Sequence, residues 1–125
     1  MTSALIGVVD DDREMLASIS DLLRSAGYSA DPFLSAEAFL GSSIKDQYEC
    51  VVTDIEMPGM TGVDLAHILR SNGINVPLIA VTAHERNRRE ASQAAWSSYL
   101  MKPFEADELL RCVQRALGAR AIAEE

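Results

Sequence analysis

Two kinds of apolar segment alternate along this chain and predict its secondary structure. Short runs that are almost continuously apolar occupy residues 5–9, 50–53, 78–81 and 99–101. They have the length of strands and lack the polar alternation of a sheet with one wet face, so they predict strands buried on both faces. Between these runs, apolar residues recur at every third or fourth position, which is typical of amphipathic helices.

The predicted helices have identifiable ends. Gly27, Gly73 and Gly118 each follow a helical pattern and offer it a left-handed stop. Thr61 and Asp64 have the spacing of a capping box, which predicts the start of the third helix.

A weaker strand and two less regular helices complete the pattern. Residues 28–33 predict a strand, after which Ser35 is expected to cap a short helix that ends at Gly41. Residues 85–95 are polar and rich in alanine, and we expect a helix with a mostly solvated face. The result is five β-α repeats, which imply a parallel sheet covered by helices on both faces and joined by right-handed crossovers.

Length, charge and cysteine usage limit the classes of protein that fit. The 125 residues suit one domain, expected over residues 1–119, with residues 120–125 as a polar tail or the start of a linker. The net charge of −8 disfavours direct binding of nucleic acid or anionic lipid. Since no apolar stretch approaches the ~20 residues of a membrane span and the start lacks a basic signal region, we expect a cytoplasmic protein. Cys50 and Cys112 lack metal or redox spacing and are expected to be isolated apolar thiols.

Polar groups stand where the apolar runs end. They are Asp10, Asp11 and Asp12 after the first run, then Asp54, Thr82 and Lys102 after the later ones. Because the carboxyl ends of parallel strands meet at one edge of a sheet, these groups are expected to share the crevice where open α/β folds bind ligands. In the flavodoxin-like strand order 2-1-3-4-5, the first and third strands are neighbours at the switch point. The pattern therefore predicts a site for a phosphate and a metal ion.

A divalent cation would balance this group of acids. Carboxylates that share a crevice raise one another's pKa, and Mg²⁺ takes one or two carboxylates together with water and a phosphate oxygen. Lys102 could hold a phosphoryl oxygen as a point charge, and Thr82 could donate its hydroxyl to the same group. An alternative is that Asp10, Asp11 and Asp12 only cap the first helix, a role from which Asp54 is too distant.

Four motifs follow one another at these strand ends. They are VVDDD at residues 8–12, VTDIEMPGMTG at 52–62, VTA at 81–83 and YLMKPF at 99–104. Together they resemble the receiver domain of response regulators from bacterial two-component systems, over nearly the whole chain. The resemblance implies a flavodoxin-like (βα)5 fold and a switch that accepts a phosphoryl group from a sensor histidine kinase or a phosphotransfer protein, without turnover of a separate substrate. A homodimer formed on phosphorylation is a further state that the resemblance allows.

The resemblance assigns catalytic and metal-binding roles. Asp54 would be the nucleophile that becomes phosphorylated. Asp10, Asp11, Asp54 and the backbone carbonyl of Glu56 would hold Mg²⁺, which lets two anionic groups approach one another. Lys102 would bind the phosphoryl oxygens.

It also assigns switching and tuning roles. Thr82 would move toward the new phosphate and Tyr99 would turn inward into the vacated space. The peptide bond before Pro103 would be cis. Glu56 and His84 occupy positions from which receiver domains tune the hydrolysis of their own phosphate, so we expect one or both to set the lifetime of the signal.

Two departures from the family pattern fall in one region. The segment between the third and fourth motifs is slightly shorter than usual, and the tripeptide AWS at residues 95–97 replaces the customary small-Gly-small step. The helix at residues 85–95 or its loops must then be shortened or re-angled. For this reason the family's usual surface of fourth helix, fifth strand and fifth helix is not expected to carry over unchanged. The arginines at 86, 88 and 89 are read as a solvated charge run, with pairing to a partner's acids as the alternative.

Three other functions compete with the switch. A small phosphatase with an aspartyl-phosphate would use Asp54, Thr82, Lys102 and Mg²⁺ alike, but it generally needs a lid for which this chain has no residues to spare. A flavin or nucleotide binder would need free amides after the first strand, where the acids would repel phosphate. The third is a receiver that is never phosphorylated and acts as an interaction module. The intact set of site residues argues against it, whereas the unusual fourth helix leaves it open.

Overall fold

The structure, a computed structural model, describes residues 3–84 and 96–124. The strands are β1 (Leu5–Val9), β2 (Ser29–Phe33), β3 (Cys50–Asp54), β4 (Leu78–Thr82) and β5 (Ser98–Met101). The helices of the described ranges are α1 (Arg13–Ser25), α2 (Ala36–Leu40), α3 (Gly62–Ser71) and a C-terminal helix (Ala106–Glu124). All strand pairs are parallel and the order is β2-β1-β3-β4-β5, which confirms the predicted fold class.

The register of the sheet brings the strand ends to one edge. Val9 of β1 is opposite Thr53 of β3, so the residues that follow each of them are neighbours. Thr82, at the end of β4, is opposite Met101 at the end of β5. The chain leaves β1 for β2 on one side and returns to β3 on the other, and the crevice that binds ligands in such sheets lies at this reversal.

Two hydrophobic layers hold the sheet between its helices. One layer joins the sheet to α1 and the C-terminal helix, with Leu23 and Val113 fully buried. The other joins it to α2 and α3, with Phe39 and Leu65 fully buried. Both faces of the central strands are covered, which explains why their sequences are apolar without alternation.

The helix ends follow the predicted signals in most places. The Thr61 hydroxyl accepts from the amide of Asp64, whose carboxylate accepts from the amide of Thr61, so the capping box is confirmed. Ser35 caps α2 as predicted. Gly27 and Gly73 have φ of 96° and 77°, in the left-handed region that other residues rarely adopt.

The predicted stop at Gly118 is wrong, because the C-terminal helix runs to Glu124. Gly118 is not among the glycines with positive φ. One glycine inside a helix costs only about 1 kcal/mol relative to alanine, and the residues that follow include Ala119, Ala121 and Ala123, which are the strongest helix formers. Residues 120–124 of the expected tail are therefore helical.

Three further predictions concern residues 85–95, the two cysteines and membrane-spanning segments. The helix predicted for residues 85–95 and its arginines lies outside the described residues. Cys50 and Cys112 are both buried thiols, and neither belongs to a disulfide of the described residues, as predicted. None of the helices in the described ranges combines the length and apolar character needed to span a bilayer.

A buried tyrosine ties β3 to the edge of the sheet. The hydroxyl of Tyr48, just before β3, donates to the carboxylate of Asp31 in β2 at 2.8 Å. Burial, reinforced by this hydrogen bond and the charge of Asp31, raises the pKa of Tyr48 to about 12. The ring packs beside Phe33 and Phe39, with centroids 6.1 and 5.3 Å away. This contact fixes the position of β2, which is the edge strand beside β1 in the described sheet.

Two positions of the edge strand β2 are closed to further backbone pairing. The carbonyl oxygen of Ala30 accepts from the guanidinium of Arg24 in α1 at 2.7 Å. Pro32, also in β2, has no amide hydrogen to donate.

Candidate functional site

Three carboxylates converge at the carboxyl ends of β1 and β3. Asp10, Asp11 and Asp54 each offer an oxygen within 4.8 Å of the others. Asp10 and Asp54 are buried, with 1% and 8% of their surface exposed, whereas Asp11 faces solvent. Buried carboxylates this close repel one another unless a cation balances them. The chemistry and spacing of these oxygens fit a hard divalent cation such as Mg²⁺.

Lys102 supplies the ammonium beside these acids. Its Nζ lies 3.2 Å from Oδ2 of Asp10 and 3.3 Å from Oδ2 of Asp54. The side chain is 16% exposed, so both contacts are largely shielded from water. Lys102 follows β5, and its peptide bond to Pro103 is cis.

Burial and neighbouring charges shift the pKa values of Asp54 and Lys102. Burial raises the pKa of Asp54, and the charge of Asp10 adds to this, while Lys102 acts in the opposite direction. Burial alone would lower the pKa of Lys102, but the charges of Asp54 and Asp10 and the hydrogen bonds to them outweigh it and raise that pKa. The surroundings therefore favour the charged form of Lys102, whereas burial disfavours the charged form of Asp54.

The acids after β1 divide between two tasks. Asp12 is the N-cap of α1, and its carboxylate accepts from the amides of Glu14 and Met15. Asp10 instead contacts Lys102 and accepts from the amide of Asp12 at 2.9 Å. The alternative that these acids only cap the helix therefore holds for Asp12 and fails for Asp10.

The backbone around Asp54 is held closely on the side of α3. The amide of Glu56 donates to Oδ1 of Asp54 at 3.3 Å, and the hydroxyl of Thr53 donates to the carbonyl oxygen of Asp54 at 3.0 Å. The amide of Gly62 donates to the carbonyl of Ile55 at 2.9 Å. A Cβ on Gly62 would collide with the carbonyl oxygen of Asp54, so only glycine permits this approach.

Thr82, Tyr99 and His84 are linked through the backbone of His84. The hydroxyl of Thr82, which is fully buried, accepts from the amide of His84 at 3.1 Å. The hydroxyl of Tyr99, on a half-buried side chain, donates to the carbonyl of His84 at 3.4 Å. The imidazole of His84 lies 3.1 Å from the carboxylate of Glu56, and both of these side chains are substantially exposed.

The structure thus brings Asp10, Asp11, Asp54 and Lys102 together. It links Thr82, Tyr99 and Glu56 through His84 in a second group. It also adds two contacts that the sequence did not predict. The pairing of His84 with Glu56 joins two residues that the sequence offered separately. The bond from Thr53 to Asp54 was also missed, although a hydroxyl inside an apolar strand was a signal for it, since buried hydroxyls nearly always have a partner.

Comparison with known proteins agrees with this geometry. Residues 6–114 match the family model described as "Response regulator receiver domain". The response regulator protein TodT of Pseudomonas putida is 32% identical over 117 residues, covering 92% of this chain and 52% of TodT. The transcriptional regulatory protein FixJ of Bradyrhizobium diazoefficiens is 34% identical over 118 residues, covering 93% and 58%. The chain spans about half the length of these relatives.

Solved structures share the fold closely. The crystal structure of FixJ-N superposes with a TM-score of 0.85 at 31% identity, covering 94% of this chain and 96% of FixJ-N. The response regulator TrrA from Thermotoga maritima, solved in complex with Mg²⁺-BeF, gives 0.83 at 32% identity, covering 91% and 99%.

Proposed function

Because the chain belongs to the family of response regulator receiver domains, we propose that it is a signalling switch activated by phosphorylation of Asp54. One observation supports this above others: the Asp54 carboxylate lies 3.3 Å from the ammonium of Lys102 and within 4.8 Å of carboxylate oxygens of Asp10 and Asp11. The donor is the phosphohistidine of a sensor kinase or phosphotransfer protein. An oxygen of Asp54 bonds to phosphorus while the P–N bond breaks and its electron pair stays on the imidazole nitrogen.

The acid cluster would hold Mg²⁺ through Asp10, Asp11, Asp54 and the backbone carbonyl of Glu56. When bound, the ion neutralises charge on the carboxylates and the phosphoryl oxygens, so that anionic partners can meet. Burial and the charge of Asp10 raise the pKa of Asp54 although Lys102 opposes them, which supports a second cation in this place.

Lys102 orients the transferred group in this proposal. Its ammonium already bridges Asp10 and Asp54, and it would bind a phosphoryl oxygen as the group arrives. Catalysis then consists mainly of positioning and charge neutralisation, as expected when the chemistry is phosphoryl transfer.

The response to phosphorylation passes through Thr82 and Tyr99. Thr82 would exchange its contact with the amide of His84 for a phosphoryl oxygen, and Tyr99 would leave the carbonyl of His84 and turn inward. Both present contacts involve the same residue, which supports a coupled movement. The altered surface would bind a protein partner, including a second phosphorylated copy, and the net charge of −8 opposes direct binding of nucleic acid.

The pair of Glu56 and His84 would set the lifetime of the phosphorylated state. Glu56 lies two residues after Asp54, and its carboxylate pairs with the imidazole of His84 at 3.1 Å. From this position the two side chains could orient or obstruct the water that attacks the phosphoryl group. Glu56→Ala and His84→Ala are each expected to change the decay rate of phosphorylated protein. Unchanged lifetimes in both variants would contradict this role.

Labelling with acetyl phosphate tests the central proposal. With Mg²⁺, intact-protein mass spectrometry should show one added phosphoryl group per chain, none in Asp54→Asn, and normal labelling in Asp46→Asn, whose acid is exposed and outside the cluster. EDTA should prevent labelling. Failure of the parent protein to label, or equal labelling of Asp54→Asn, would refute phosphorylation at this residue, and sustained hydrolysis of an added phosphomonoester would favour a phosphatase.

A further inference from the structure

The single tryptophan carries a buried hydrogen-bond donor that is not satisfied. Trp96 precedes β5, and its ring packs against the hydrophobic layer under α3. Its indole Nε1 is buried and has no hydrogen-bond partner in the part of the chain that the structure describes. Buried donors are nearly always paired, because an unpaired one loses its bond to water without replacement. This arrangement is therefore higher in free energy than one in which the indole finds an acceptor.

The neighbours of Trp96 connect it to both parts of the proposed switch. A small cluster contains the buried residues Ile55 and Ala80, against which Val63, Trp96 and Tyr99 pack. Ile55 directly follows Asp54, and its amide donates to the carbonyl of Val81 at 3.1 Å.

The register of β4 and β5 adds a second link between the cluster and the switch. Ala80 is the partner of Tyr99 in this pairing. Tyr99 and Trp96 thus pack against the same two residues, through which a movement of Tyr99 can reach the Trp96 ring.

We propose that Trp96 is a positioning residue that biases the switch toward its signalling state. In the resting arrangement, the hydroxyl of Tyr99 donates to the carbonyl of His84 and the indole N–H is unpaired. When Tyr99 turns inward, the rearranged cluster gives this N–H an acceptor. Pairing of the indole then contributes to the equilibrium that phosphorylation shifts. This inference rests on the proposed function.

Beryllofluoride with Mg²⁺ is the probe, as a stand-in for the phosphoryl group. Trp96→Phe keeps an aromatic ring but removes the N–H together with the five-membered part of the indole. The unpaired donor then no longer raises the free energy of the resting state, so beryllofluoride binding should weaken by about fivefold or more. Binding is measured by ¹⁹F NMR, which does not depend on tryptophan. Tyr28→Phe is the matched control, since Tyr28 is a half-buried aromatic on the opposite layer, and its affinity should stay unchanged.

The emission of the unmodified protein gives a second measurement. Because Trp96 is the only tryptophan, its fluorescence should shift on addition of beryllofluoride and Mg²⁺, and should not shift in Asp54→Asn. A residue that serves only packing would lower stability in Trp96→Phe and leave the affinity unaltered.

The outcomes separate this inference from the proposed function. If the parent protein binds beryllofluoride but Trp96→Phe binds equally well, or if emission stays constant on binding, the role of Trp96 is overturned while the switch stands. If the parent protein does not bind beryllofluoride, both are overturned. Weaker binding in Trp96→Phe together with an emission shift supports the inference.

Discussion

Replacing Lys102 by methionine tests the electrostatic core of the site. The substitution keeps a long apolar side chain and removes the ammonium that contacts Asp10 and Asp54, at 3.2 and 3.3 Å. Two carboxylates, both nearly buried, would then face one another without the positive charge of this ammonium. Lys45→Met is the matched control, because Lys45 is the only other lysine and the described residues place no carboxylate in contact with its ammonium.

The expected loss of stability follows from the geometry. At these distances and an effective dielectric constant of about 20, each contact contributes roughly 5 kcal/mol of gross Coulomb attraction. Desolvation of the three groups offsets most of this, and removal of one partner from a buried pair typically costs about 3–5 kcal/mol. Since Lys102 keeps some contact with water, we expect a loss of about 3 kcal/mol, at the lower end of that range.

Urea unfolding in metal-free buffer measures this loss. With a slope of roughly 1–3 kcal/mol/M, the midpoint should fall by about 1 M or more. Mg²⁺ should restore more stability to Lys102→Met than to the parent protein, because it binds the folded state of a more negative cluster. Adding Asp10→Asn to the variant should also recover part of the loss. A variant as stable as its parent without Mg²⁺ would show that the ion pairs contribute no net stability, and our reasoning on this site would be wrong.

Three further perturbations have expected results. The raised pKa of Asp54 means that the folded state holds this proton more readily than the unfolded chain, so stability falls as pH rises through that pKa. Asp54→Asn in metal-free buffer should therefore be more stable than the parent at neutral pH, and denaturation at a series of pH values should show the gain disappearing in acid; a gain independent of pH would contradict this cause. Gly62→Ala forces a methyl against the carbonyl of Asp54, and should cost about 1–3 kcal/mol in urea unfolding and weaken beryllofluoride binding; full affinity in ¹⁹F titrations would show that the loop yields without moving Asp54. Tyr48→Phe removes a bond to the Asp31 carboxylate and should cost about 1.5 kcal/mol, and ultraviolet titration of the parent should show one tyrosine ionising only near pH 12.

The sequence predicted most of the architecture because hydrophobic periodicity and strand-end chemistry are local signals. Continuous apolar runs located β1, β3, β4 and β5, and polar residues directly after them marked the edge of the sheet. The stop expected at Gly118 failed for a local reason too, since the helix propensity of the alanines after it outweighs one glycine.

Sequence patterns do not predict contacts between side chains that are far apart along the chain. Glu56 and His84 were each nominated, but only the folded chain shows their side chains paired. Likewise, Trp96 stood out in the sequence as an unusual residue before β5, whereas its unpaired N–H depends on how the ring is packed. Hydrogen-bond partners and burial arise from three-dimensional packing, which one-dimensional spacing does not encode.

The closed positions on the edge of β2 affect the behaviour of the protein at high concentration. An outermost strand with open amides and carbonyls can recruit strands from neighbouring molecules, which is a common route to aggregation. Here the guanidinium of Arg24 covers the carbonyl of Ala30, and Pro32 offers no donor at its position in the strand. Addition of a strand from another molecule at the edge of β2 is therefore disfavoured, which reduces aggregation through this edge when the protein is concentrated.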